Sequence, residues 1–100
     1  MDWDALRFDW DDDNRGHLAR HGVAPDEAEQ AIRDSFAMLL EIQQPPGRGM
    51  DEERSKIAGM TKSGRILIVV FTYRGPLLPP VTAYEAVPRD AEIYLKGRGA

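Results

Sequence analysis

The sequence contains no cysteine. Disulfides and cysteine-bound metal centres are therefore excluded, and the pattern suits a reducing compartment. No apolar run approaches the roughly 20 residues that a membrane helix requires. Where a secretory signal would place positive charge ahead of an apolar block, this chain begins with Asp2 and Asp4. These features lead to the expectation of a cytoplasmic protein with no membrane association. Internal repeats are absent too, and 100 residues with 42% hydrophobic content fit a single domain spanning 1–100.

Excess positive charge is also missing. The net charge is -4 and the isoelectric point is near 5.1, which counts against strong, non-specific binding of nucleic acid. The distribution is uneven, however. Residues 1–30 hold nine Asp or Glu against three Lys or Arg, and the remaining seventy hold eight against ten. Any basic footprint must lie in the C-terminal two thirds.

Residues 1–7 read as a polar leader and 97–100 as a mobile tail. Phe8 and Trp10 alternate with Asp9 and Asp11, the period-two pattern of a half-buried strand. Asp11 to Asp13 provide an N-cap and an acidic first turn for a helix that Gly22 stops. Asn14, His17, Leu18 and His21 are placed on one flank of it. Gly16 weakens this helix by about 1 kcal/mol relative to alanine. Pro25 suits the first turn of a second helix, with Asp26, Glu27 and Glu29 at its positive end and Ala28, Ala31 and Ile32 as its apolar stripe.

Phe36 to Ile42 reads as a strand, and the proline-rich segment Gln43 to Asp51 as a flexible loop. Arg54 to Met60 is a strand, Thr61-Lys62-Ser63-Gly64 a hairpin turn, and Arg65 to Tyr73 the most hydrophobic and most central strand. Arg74-Gly75-Pro76 turns the chain again. Pro79-Pro80 disrupts early pairing before an edge strand over Val81 to Tyr84. Pro88 opens a closing helix that frays at Gly97 and Gly99. The expected fold is α+β: a small, mainly antiparallel sheet with two N-terminal helices and a C-terminal helix.

The order of parts resembles a known family. Phe8-Asp9-Trp10-Asp11, then Asn14, then His21-Gly22-Val23 and a short acidic helix resemble the opening of the BrnT toxins. These are the toxin half of bacterial type II toxin-antitoxin pairs. Glu53-Arg54, Gly59, Ser63-Gly64-Arg65 and the apolar run Ile66 to Val70 are similar to that family's central hairpin. The likeness covers roughly residues 8 to 95. It implies a RelE-like ribonuclease fold and an activity that cuts RNA without a metal or other cofactor, arresting translation. It also implies a DNA-binding antitoxin of the ribbon-helix-helix type as partner.

Such cleavage needs a group to activate a 2'-hydroxyl, cations to stabilise the phosphorane, and a proton for the leaving oxygen. Arg54 and Lys56, two residues apart on one strand, share a face, and Arg65 follows the turn. In the ribonuclease reading these three hold the scissile phosphate, Arg54 and Arg65 at positions where the resembled family also carries arginine, with His17 or His21 as the proton carrier. Lys62, Arg74 and Tyr84 are candidate RNA contacts. Each has a plainer reading. Lys and Arg on strands serve solubility and guard edges, and His21 beside Gly22 suits the negative end of a helix. His17 and His21 lie four apart, and with Asp13 they form a possible metal triad. Trp10 and Tyr94 suit packing, and Asp11 and Asn14 suit capping.

The chain departs from the family near its end. Thr82-Ala83-Tyr84 stands where an arginine commonly follows the Ser/Thr-Ala pair, and Asp90-Ala91-Glu92 stands where a basic run precedes the tyrosine. Fewer cations would weaken phosphorane stabilisation. The alternative reading is therefore a catalytically inactive, protein-binding module on the same fold.

Overall fold

The computed structural model describes residues 7–43, 54–72, 77–78 and 80–99. The leader 1–6, the proline-rich segment 44–53 and the turn containing Arg74 lie outside them. The elements follow the order β1 (Arg7–Phe8), α1 (Asp12–Arg20), α2 (Pro25–Arg33), β2 (Met38–Gln43), β3 (Arg54–Met60), β4 (Ile66–Phe71), β5 (Leu77–Leu78), β6 (Pro80–Glu85) and α3 (Pro88–Arg98). Three helices and an antiparallel sheet ordered β2-β3-β4-β6 make the expected α+β domain. A separate two-stranded pair joins β1 to β5 in parallel, with Phe8 opposite Leu78.

Capping fixes α1 at both ends. Asp11 and Asn14 each bond the other's backbone N–H through the side chain at 2.8 Å, a capping box. Asn14 also donates to the Asp9 carbonyl at 2.8 Å, which satisfies its buried amide. At the far end Val23 N–H donates to Leu18 O and Gly22 N–H to Ala19 O, a Schellman closure with Gly22 at a φ of 69°. Leu18 and Val23 are both buried, so the closure also seals apolar surface. The helix begins so early that the first strand is only Arg7–Phe8. Trp10 lies outside it, packed on the core and donating to Glu29 at 2.8 Å. Of the flank anticipated for α1, Asn14 and Leu18 face inward while His17 and His21 are exposed.

The sheet separates two apolar clusters. On one face Leu18, Ala31, Ile32, Leu67, Val69 and Phe71 pack beneath α1 and α2. On the other, Ala58, Ile68 and Tyr94 pack beneath α3. This division follows strand alternation. Gly59 belongs to the first face, where a Cβ would run into the backbone of Ala31, so α2 can sit close to β3 only over glycine. Burying side chains such as Leu67 and Phe71 contributes about 1.5–3 kcal/mol each.

Several boundaries differ from the sequence reading. The second strand starts at Met38, not Phe36, because Asp34 accepts the Phe36 N–H at 3.1 Å and holds residues 34–36 in a turn. Pro80 joins β6 opposite Phe71, where an irregularity between Val70 and Phe71 accommodates its missing N–H. The closing helix does not fray at Gly97. It runs to Arg98 and ends at Gly99, which has a φ of 89°, while Gly97 leaves the space that Met38 occupies.

Candidate functional site

Two pairwise contacts link three of the candidate residues around the β6 edge: His21 meets Tyr84, which packs with the α3-side cluster, and Arg65 on the other face reaches the backbone beside His21. His21 ends α1 beside the β6 edge, and its ring lies 5.9 Å from that of Tyr84, tilted by 58°. Arg65 immediately precedes β4 and donates to the carbonyl of Gly22, the residue after His21, at 3.2 Å. The same guanidinium bonds Glu27 at 2.7 Å and lies 3.8 Å from Glu85. Local structure fixes each piece. The Schellman closure of α1 places His21, the hairpin turn orients Arg65, and Glu27 is held by accepting the Ala24 N–H at 3.1 Å. That backbone bond, together with the Arg65 bond and charge, brings the Glu27 carboxyl below its ordinary range despite desolvation. The His21 imidazole is thus in contact with the Tyr84 phenol ring, while the Arg65 guanidinium is tied to the backbone one residue beyond His21 with two carboxylates beside it.

Arg54 and Lys56 are elsewhere. Alternation along β3 points both to the α3 face, and Lys56 lies 4.0 Å from Asp90 of α3. The Arg65 guanidinium instead meets Glu27 of α2, Glu85 of β6 and the Gly22 carbonyl that follows α1, on the opposite face. The three cations therefore do not form one phosphate cradle, because the sheet itself stands between them. Lys56 instead lines a groove of about 500 Å³ with Arg89, Leu39 and Ile93. His17 is exposed on α1 and has no polar partner among the described residues. Asp13, His17 and His21 form no ligand set, and no group of three His, Asp or Glu suited to a metal occurs among the described residues.

Lys62 lies in the hairpin turn, its N–H bound to the Gln30 side chain at 2.9 Å. It lines a cleft of about 600 Å³ with Gln30, Arg33, Asp34, Ser35 and Arg98. Behind this cleft is a network absent from the sequence reading. Tyr94, fully buried as packing required, donates its hydroxyl to Asp34 and accepts from Arg98 at 2.6 Å. Asp34 also accepts the Met60 N–H at 2.9 Å and lies 3.7 Å from Arg98. Burial pushes the Asp34 carboxyl upward, but the bonds from Tyr94, Phe36 and Met60, with the Arg98 charge, outweigh it and hold the group below its usual value. Burial and the Asp34 bond raise the Tyr94 phenol, against Arg98. The spacing of Tyr94 and Arg98, four apart on one helix, was the available signal. Nothing local pointed to Asp34, sixty residues from Tyr94.

No helix among the described residues is long and apolar enough to cross a membrane. No protein of curated function matches the sequence significantly. Residues 10–90 match the family described as "Ribonuclease toxin, BrnT, of type II toxin-antitoxin system". With the match spanning the capped first helix, the central hairpin and the last strand, the chain belongs to the BrnT family of type II toxin-antitoxin ribonuclease toxins.

Proposed function

We propose that the chain is a bacterial, cytoplasmic toxin that cleaves RNA without a metal and thereby arrests translation, and that the corner of His21, Tyr84 and Arg65 is its reaction centre. The carrying observation is the contact of the His21 and Tyr84 rings at the β6 edge, with Arg65 tethered to the Gly22 carbonyl one residue beyond His21. His21 takes the proton of a 2'-hydroxyl as that oxygen attacks phosphorus. Arg65 stabilises the charge on the phosphorane oxygens. Tyr84 gives its proton to the departing 5'-oxygen, leaving a 2',3'-cyclic phosphate and a free 5'-hydroxyl, and solvent restores both groups.

In this reading Lys62 contacts the RNA backbone close to the scissile bond. Arg54 and Lys56, on the far face, contact it further away. His17 and Arg74 remain candidates for outer contacts. The partner is an antitoxin, here proposed to be a DNA-binding ribbon-helix-helix protein that covers the toxin. A small ribbon-helix-helix gene immediately downstream would agree with that type.

The test is incubation of purified protein with RNA in the presence of chelator, with the product ends mapped. Cleavage leaving cyclic phosphate, lost in folded Arg65→Ala and His21→Ala variants, supports the proposal. Cleavage that persists in both variants places the centre elsewhere.

A second reading has its own observation. Glu27 and Glu85 both face Arg65, so two carboxylates already compensate the cation that a phosphorane would need. On this reading the chain is an inactive protein-binding module. Folded wild type that neither cuts RNA nor arrests growth would favour it.

A further inference from the structure

We infer that the cleft between α2, the β3–β4 turn and the end of α3 is a nucleotide subsite for single-stranded RNA, with a base stacked at the Phe36–Arg98 pair and a phosphate on Lys62. The inference rests on the ribonuclease reading for its ligand class and extends it to residues outside the reaction corner.

Phe36 is 49% exposed, although large aromatic rings gain most from burial. The Arg98 guanidinium lies over this ring, 4.6 Å from its centroid. Aromatic rings and guanidinium planes are the two protein surfaces on which unpaired bases stack, and stacking accepts any base because every base has a π face. Arg98 is not a loose surface arginine. Its Nη1 donates to the Tyr94 hydroxyl at 2.6 Å and lies 3.7 Å from Asp34. A platform held this way loses little freedom when a base arrives.

The polar lining completes the fit. Asp34 is engaged by the Tyr94 hydroxyl and by the N–H groups of Phe36 and Met60. Glu29 is likewise engaged by Trp10 and Arg33. Both carboxylates are compensated by these partners, and the third in the lining, Asp26, is exposed, where water and salt screen it from a phosphate at Lys62. The Lys62 ammonium has no partner among the described residues, and one such cation matches the single charge of a phosphodiester. Gln30 receives the Lys62 N–H through its oxygen, which leaves its amide NH2 to meet a base edge. The volume of about 600 Å³ lies within the roughly 300–1,000 Å³ of small-ligand sites.

Position supports the same ligand. Thr61 clamps Arg65 at 2.8 Å through its N–H and at 3.1 Å through its hydroxyl, so Lys62 and Arg65 project from one closed turn. A strand whose scissile phosphate lies at Arg65 would bring a neighbouring nucleotide to the cleft.

The experiment measures binding of a short 2'-O-methyl RNA, which cannot be cleaved, by fluorescence anisotropy at fixed salt. Wild type is compared with Phe36→Ala, Phe36→Tyr and Lys62→Ala, each checked for an unchanged melting curve. Loss of one stacked base should weaken binding by about tenfold or more in Phe36→Ala. Lys62→Ala should weaken it and flatten its salt dependence. Phe36→Tyr, which keeps the ring, should bind like wild type. Wild-type affinity in both alanine variants overturns the subsite, as does failure of the wild type to bind this RNA. Cleavage of unmodified RNA is read separately. Cleavage with undiminished binding in the variants removes the subsite and leaves the nuclease reading standing. Selective loss of binding without wild-type cleavage keeps the subsite and removes the nuclease.

Discussion

Arg65 and Lys56 stand on opposite faces of one sheet: Arg65 bonds Glu27 of α2 at 2.7 Å, and Lys56 meets Asp90 of α3 at 4.0 Å. Their separation gives different expectations for two cations that look equivalent in sequence. Arg65→Ala should lower the RNA cleavage rate by about 100-fold or more, the scale of losing one phosphorane donor. Arg54→Ala and Lys56→Ala should act mainly on KM and much more weakly. Steady-state kinetics on one defined RNA distinguishes them, and equal losses in kcat would refute the assignment.

His21→Ala should lower kcat by about 100- to 10,000-fold, the range for a general acid or base. His17→Ala, four residues earlier and without a polar partner among the described residues, serves as the comparison. If His17→Ala causes the larger loss, the proton carrier has been assigned to the wrong turn of α1.

Tyr94→Phe removes a hydroxyl that links Asp34 to Arg98. The cost should be about 1–3 kcal/mol, because a partly buried carboxylate loses a donor. Urea unfolding measures it. An unchanged midpoint would mean that water replaces the phenol without loss.

Asp34 should give stability a defined acid limb. Its folded pKa is lowered from the ordinary 3.8, so the unfolded chain binds the proton more readily. The contribution is present above about pH 4 and fades as pH falls through the lower folded value. Asp34→Asn should be less stable than wild type at neutral pH, with the gap narrowing in acid. Tyr94 carries the opposite sign: its raised pKa favours the folded state below about pH 10, and that advantage fades as the pH rises through the folded value. Thermal melts across pH read both limbs. A constant gap between Asp34→Asn and wild type down to pH 2 would show that Asp34 is not the titrating group.

Gly59→Ala should destabilise the domain by about 1–3 kcal/mol or more, since the added methyl meets the backbone of α2 rather than a yielding side chain. Gly16→Ala, with open space around it, should be neutral or stabilising by up to about 1 kcal/mol. The pair of melting curves separates close approach from helix propensity.

The sequence by itself determined the local elements and their order. Asp11 with Asn14, Gly22, Pro25 and the alternating run through Ile66–Phe71 act over a few residues, so the capped helix, its stop, the second helix and the hairpin were legible without tertiary information. The same local motifs carried the family resemblance, which the match over residues 10–90 established. Only the tertiary structure decided which charged groups share a face and which partners they meet. Arg65 follows the turn by one residue, and nothing local reveals that Glu27, 38 residues earlier, will accept its guanidinium. Asp34, Phe36 and Arg98 likewise appear unrelated until α3 folds back along the sheet and Tyr94 closes on Asp34. Periodicity records whether a side chain points in or out of its own element. Long-range ion pairs depend on how elements dock, and that is set by the summed packing of two apolar clusters on either side of the sheet.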